Sequence, residues 1–247
     1  MKALLDFSAK QQLFKHHYLG YAQAMLPVVD KPFAAHLIDQ LARDGYQELT
    51  IITNDETQEI TKKLGDGGFW SISLKYVNID SPEELSSCIQ IKEHPTKEIS
   101  SDVSLSLLPR HVSEADENTV NEVYCHYMDD NLTALSNTDK FQIPSYQVRP
   151  NIFLCEGAKT RAMSDFPLHL GKYAELKSRC IFRGASVIGS GALVESGNIL
   201  DNTVIMPNTL VGSNLDLSNC LVTPHWIFHR LTGARIDIDD SRILRAA

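Results

Sequence analysis

A chain of 247 residues and 27.6 kDa has room for one large domain or two modest ones, and its 43% hydrophobic content is enough for a buried core. The formal net charge of -8 and pI near 5.6 speak against a nucleic-acid binder, which needs a basic face, and against an anionic membrane surface. The five cysteines, at 88, 125, 155, 180 and 220, form no C-x-x-C pair and are odd in number, which fits reduced thiols better than a disulfide framework. Asp6 interrupts any signal-peptide core, and no apolar run approaches a membrane span. A soluble cytoplasmic protein, with no nucleic acid and no membrane among its partners, is expected.

In chain order, residues 3–7 form a short apolar strand. A helix starts near Pro32, with Phe33, Leu37 and Leu41 at helical spacing and Ala34 and Ile38 on the same side, and Gly45 stops it. The run ELTIIT at 48–53 is strand-like, 55–64 reads as a second helix ended by Gly65, and 71–77 alternates Ile72, Leu74 and Tyr76 with a period of two. Ser81-Pro82-Glu83-Glu84 has the capping serine, first-turn proline and following glutamate of a helix start. Strands alternating with helices predict a parallel sheet with crossover helices, whose ligands usually bind beyond the carboxyl ends of the strands.

The second half changes period. Phe182, Ile188, Val194, Leu200 and Met206 recur every six residues, followed at an offset of four by Ser186, Ala192, Asn198, Val204 and Leu210. Turn formers fill the spaces: Gly184, Gly189, Gly191, Gly197, Asp201-Asn202 and Pro207-Asn208. After a one-residue slip, placed between Met206 and Val211, the ladder resumes with Val211 and Leu217, and with Leu215 and Leu221 at the offset. A six-residue apolar repeat predicts a parallel β-helix, in which each hexad forms one side of a coil and stacked coils bury the aliphatic residues. The stretch 141–155, with Pro144 and Pro150, reads as a connector, so an α/β domain over 1–140 and a repeat domain with a C-terminal cap over 150–247 are expected.

This plan resembles the sugar-phosphate nucleotidylyltransferases, the nucleotide-sugar pyrophosphorylases. The resemblance is carried by MKALL at the start, AMLPVVDKP at 24–32, AAHLIDQLARDGYQELTIITN at 34–54, and the repeat at 184–212. It implies a truncated Rossmann-like nucleotidylyltransferase domain followed by a left-handed hexapeptide β-helix. The family's first loop, L-A-A-G-x-G-T-R-L, wraps the triphosphate with backbone N–H groups, and an arginine and a later lysine offset phosphate charge. Laid on this chain without a gap, the two glycines fall on Ala9 and Gln11, the threonine on Gln12, the arginine on Leu13 and the lysine on Gln23. Lys10 and Lys15 lie nearby but read as ordinary surface lysines. The family's metal-binding aspartate follows a mid-domain strand, for which residues 102–112 are the counterpart, and these lead through Pro109-Arg110 instead. Much of the family's sugar-binding part is missing between about residues 80 and 130.

Other chemistry is thinly signalled. His225 and His229 follow the ladder, where some hexapeptide acyltransferases keep a histidine base, but no cleft is evident, and Cys220 with these two histidines lacks a zinc knuckle. His16-His17 are adjacent and would point apart in a regular element. No catalytic, cofactor-binding or metal-binding residue is therefore assigned, and no cofactor is expected; magnesium would be one if nucleotidyl transfer took place. The expected role is a degenerate nucleotidylyltransferase, structural or regulatory in nucleotide-sugar or polysaccharide metabolism, that assembles with itself or with an active relative and binds at most a sugar or nucleotide. An atypical active nucleotidylyltransferase and a hexapeptide acyltransferase are the alternatives.

Overall fold

A computed structural model describes residues 2–7, 21, 23–53, 59–78, 117–138, 141 and 143–247. The chain divides into two compact units. In the first, strands β1 (Lys2–Asp6), β4 (Glu48–Thr53) and β5 (Ser73–Asn78) form a parallel sheet in the order β1-β4-β5, with Leu5 opposite Ile51 and Ile51 opposite Tyr76. Between β1 and β4 the chain runs through β2 (Pro27–Val28), β3 (Lys31–Pro32) and helix α1 (Phe33–Arg43). Helix α2 (Glu59–Leu64) follows β4. Leu49, Ile51 and Ile52 of the central strand are buried, as in a strand with neighbours on both edges, and α1 buries Phe33, Ala34, Ile38 and Leu41. Gly45 takes a left-handed φ of 83° just past α1, which is why the helix stops there. The helix start at Ser81 and the strand at 102–112 lie outside the described residues.

The second unit contains residues 27–31, helix α3 (Glu117–Ser136) and everything from Tyr146 onward. It is a β-solenoid of about four coils with three faces. The longest face has eight strands; its parallel core is Ile152–Leu154, Leu168–Leu170, Ser186–Ile188, Thr203–Ile205 and Cys220–Val222. Lys159–Thr160, Glu175–Leu176, Leu193–Val194 and Thr209–Val211 stack on the second face, and Ile181–Phe182, Ile199–Asp201 and Asp216–Ser218 on the third.

The register corrects the sequence reading in two ways. The six-residue ladder starts earlier, at Leu170 and Leu176, which lie opposite Ile188 and Val194. The slip also comes earlier. Phe182 pairs with Leu200, but Ile188 pairs with Ile205 rather than Met206, and Val194 with Val211. The residue is lost at a corner. Three residues, Arg183 to Ala185, separate Phe182 from Ser186, whereas only Asp201 and Asn202 separate their partners Leu200 and Thr203. Asn202 makes the tighter corner with a left-handed φ of 46°, and Asn219 repeats it one coil later at 55°. Ile205, Val211, Leu217 and Val222 therefore continue the core, while the offset positions become Thr203, Thr209 and Cys220 in place of Val204, Leu210 and Leu221. Asn198, fully buried at an offset position, donates to the Glu195 and Gly212 carbonyls (both 2.8 Å) and accepts from the Leu215 N–H (2.7 Å), so its amide bridges successive coils.

Both ends of the stack are closed by antiparallel strands. Tyr146–Arg149 pairs with Ile152–Leu154, so the stretch read as a connector already belongs to the solenoid. At the other end Trp226–His229 pairs with Cys220–Val222 and then with Ala234–Asp237, and Leu244–Ala246 pairs with Thr209–Val211. Antiparallel pairing gives the last coils' backbone groups a partner that a further parallel coil would otherwise supply.

The long face is covered on its outside. His169, Val187, Val204 and Leu221 share an outward row, yet all four are buried, and α3 packs across the strands that carry Val187 and Val204. Tyr124 of α3 meets Trp226 and Phe228 with ring centroids 4.9 and 5.1 Å apart, Asp129 pairs with Arg230, and the Asn121 amide donates to the Gly233 carbonyl (3.2 Å). Trp226 and Phe228 are thus buried against α3, while Leu231 stays exposed. No described helix is long and apolar enough to cross a membrane. Val204→Lys should lower unfolding free energy by roughly 3–5 kcal/mol in chemical denaturation, since it leaves an unpaired charge beneath α3; at an open outward position the same change would be nearly neutral.

Candidate functional site

The family-like segment AMLPVVDKP runs through β2 and β3, and the turn between those strands is Val29-Asp30. Both residues have positive φ, 46° and 61°. Two-residue hairpin turns of this kind favour Asn-Gly, and a β-branched valine there costs about 1–3 kcal/mol in backbone strain. The solenoid unit holds the turn by several contacts. Val29 is fully buried, and its N–H donates to Asn131 Oδ1 of α3 (2.9 Å). The Tyr127 hydroxyl, also on α3, donates to the Pro27 carbonyl (2.6 Å).

Asp30 is fixed most completely. Its Oδ1 accepts the Ser190 N–H (3.0 Å), and its Oδ2 accepts the Lys172 N–H (3.0 Å) and the Ser190 hydroxyl (2.7 Å). Lys172 and Ser190 lie at equivalent corners of successive coils, two residues beyond the paired Leu170 and Ile188. Gly171 makes the approach possible: a Cβ there would lie 1.9 Å from Asp30 Oδ2.

Beside Asp30 stand two residues that lie far from it in sequence. Cys155 directly follows the solenoid strand Ile152–Leu154, and its N–H donates to the Leu170 carbonyl (2.9 Å). His169 lies on the next strand, with Leu168 and Leu170 directed into the core and His169 outward beneath its cover. Cys155 Sγ lies 3.5 Å from His169 Nε2 and donates to the Pro144 carbonyl at 2.9 Å. One donor atom each of Asp30, Cys155 and His169 falls within 4.8 Å of the others. Among the described residues, Nδ1 of His169 has no hydrogen-bond partner.

Burial dominates the electrostatics. It pushes the Cys155 thiol up to about 12, with the Asp30 carboxylate adding to the rise and Lys172 opposing it. It lowers His169 to about 4, although Asp30 works against that. The imidazole is therefore neutral and the thiol protonated at neutral pH. A buried protonated thiol is a poor nucleophile, so these three residues do not make a cysteine-histidine catalytic pair as they stand. Their donor set, sulfur, nitrogen and carboxylate oxygen, is instead one that can hold a metal.

None of the three was singled out from sequence. No fixed spacing joins Asp30 to Cys155 and His169; only the coil length brings the last two together, since Phe153 lies opposite His169. The residues that the sequence did raise do not converge. His225 is exposed, His229 Nδ1 is engaged with the Thr232 hydroxyl (2.9 Å), and the Cys220 thiol donates to the Ser218 carbonyl (3.2 Å). Among the described residues they form no metal-ligand group. Ala9, Lys10, Gln11, Gln12, Leu13, Lys15 and His16-His17 lie outside the described residues.

No protein-family model matches the chain. Its N-terminal region is similar to the glucose-1-phosphate thymidylyltransferase of Neisseria meningitidis serogroup A, with 33% identity over 75 residues, 30% of this chain and 26% of that protein. A glucose-1-phosphate thymidylyltransferase of Xanthomonas campestris pv. campestris is 30% identical over 73 residues, 29% of this chain and 25% of that protein. The matched region spans about a quarter of the length of these curated relatives. The chain thus combines a nucleotidylyltransferase-like N-terminal region with a β-solenoid, the plan that the sequence motifs imply.

Two outcomes test the geometry of this site. Asp30→Ala and Gly171→Ala should each destabilise the protein, by about 1–3 kcal/mol for the lost charge-assisted contacts. Their combined effect in a double-mutant cycle should fall short of the sum by about 1 kcal/mol or more, because both release the same carboxylate. For His169 the unfolded chain takes up a proton below its ordinary value of 6.5 and the folded chain only near 4, so stability is complete above about 6.5 and is lost as pH falls toward 4. The loss amounts to about 3 kcal/mol. Urea midpoints of His169→Leu should be correspondingly flatter across that window than those of the parent.

Proposed function

We propose that this chain is a nucleotidylyltransferase-like protein that has kept the fold frame of sugar-nucleotide synthesis without its phosphate chemistry, and that its role is structural or regulatory. The observation that carries the reading is a pairing of two facts in one region. The N-terminal similarity is to glucose-1-phosphate thymidylyltransferases, yet the positions for the loop glycines and the two cations hold Ala9, Gln11, Leu13 and Gln23. Glycine allows backbone to approach phosphates, and cations stabilise charge at the reacting phosphorus; no replacement does either. The build of residues 27–31 supports the same reading. The acidic side chain of the PVVDKP segment is committed to three hydrogen bonds at solenoid corners, a structural task.

The role follows from what remains. A solenoid presents long parallel faces and exposed side chains at its ends, here Tyr146 and Val148 on one terminal strand and Ile236 on the other. Symmetric self-association, or association with a catalytic relative, is the common use of such surfaces. A sugar or nucleoside remains a fitting ligand, since shape and hydrogen bonding do not need the lost cations.

Purified protein should release no pyrophosphate from the common nucleoside triphosphates with sugar 1-phosphates and magnesium. Loss of one preorganised donor alone costs about a hundredfold or more in rate, and several are replaced. Triphosphate affinity by calorimetry should be correspondingly weak. Turnover near the ordinary enzymatic scale of about 1–10 per second would overturn the proposal.

A further inference from the structure

We propose that Asp30, Cys155 and His169 form a binding site for one zinc-type divalent cation, held by the Cys155 sulfur, His169 Nε2 and a carboxylate oxygen of Asp30. The site is separate from the nucleotide chemistry discussed above and stands whether or not the chain transfers nucleotides. Three observations carry it: the spacing of the donor atoms, the lone pairs they have free, and the burial of the two softer donors.

The spacing fits a tetrahedral ion. With a metal–sulfur distance of about 2.3 Å and a metal–nitrogen distance of about 2.0–2.1 Å, tetrahedral geometry separates sulfur from nitrogen by roughly 3.6 Å. Sγ and Nε2 lie 3.5 Å apart. The Asp30 oxygen falls within the 4.8 Å that encloses all three donors, so a contraction on the order of 1 Å, shared between the carboxylate and the other two side chains, completes the triangle.

The lone pairs are available. A carboxylate offers about four acceptor positions; Asp30 uses three on Lys172 and Ser190, and the remaining one faces the Cys155 thiol, whose proton leaves when a metal binds. Those three bonds orient the carboxylate as outer partners orient a ligand in metal proteins. The imidazole is neutral, and a proton on Nδ1 leaves the Nε2 lone pair facing Cys155. The thiol is the one donor that must change. Binding breaks its S–H bond, forms the sulfur–metal bond and releases the proton to solvent, so the metal's charge has to offset a thiol held high by burial.

Donor type and burial set the preference. Thiolate with imidazole and one carboxylate favours zinc or cobalt(II) over magnesium and calcium, which take oxygen ligands. Cys155 and His169 are buried and Asp30 is partly exposed, so an ion would reach the donors from the Asp30 side. Three protein donors leave the fourth position to water or a ligand.

Cobalt(II) titrated into the metal-free full chain should bind one to one, with a sulfur-to-cobalt charge-transfer band and the visible bands of a tetrahedral ion. Zinc should displace it. Cys155→Ser should abolish the charge-transfer band, and Ser190→Ala, which removes an outer partner of Asp30, should weaken binding about tenfold or more. Because Cys155→Ser risks misfolding, X-ray absorption on the zinc-loaded parent chain provides a check without substitution: one sulfur neighbour at about 2.3 Å with nitrogen and oxygen in the rest of the shell. No binding with excess cobalt or zinc, or a shell with no sulfur or with two or more, would overturn the site.

Discussion

An aliphatic side chain at every sixth residue can be buried only if the chain folds into three short sides and the next coil lies directly on the last. That constraint organises the solenoid unit. It sets the pairing of Leu170 with Ile188 and of Ile188 with Ile205, it demands left-handed corners, and it leaves each coil dependent on its neighbours for the backbone groups it cannot satisfy alone. The constraint acts on the inward row and the corners. The outward row of the long face is free of it, and this chain uses that freedom to cover the face with α3 and to bury a histidine there.

The same stacking explains how a distant segment becomes part of the repeat. Lys172 and Ser190 present N–H groups and a hydroxyl at successive corners, and the single carboxylate of Asp30 spans both. The interaction repays a strained Val29-Asp30 turn, and it requires glycine at 171. Part of a segment that carries the nucleotidylyltransferase resemblance is thus built into the solenoid unit. Local sequence alone could not reveal that placement, because the partners lie more than a hundred residues away.

Much of the fold was legible because its signals are local. ELTIIT becomes β4 with the bounds expected, Gly45 and Gly65 end their helices with positive φ, and the hexad period gives the stack. The place of the slip was misread for a physical reason. Met206 is apolar and six residues from Leu200, so spacing prefers it, whereas the corner at Asn202 admits a turn shortened by one residue and hands the inward position to Ile205. The Asp30–Cys155–His169 group was not legible at all. Its members share no periodicity, and their meeting depends on coil length, on a hairpin turn and on a glycine whose missing side chain is its contribution.

Residues 27–31 are an integral part of the solenoid unit. Amide hydrogen exchange on the full chain tests it most directly, because the Val29, Lys172 and Ser190 N–H groups each have a named side-chain acceptor in this arrangement. All three should exchange as slowly as the amides of the parallel strands, and Asp30→Ala should release Lys172 and Ser190 while leaving the strand amides protected. Exchange of these three amides at the rate of an open loop in the parent chain would contradict it.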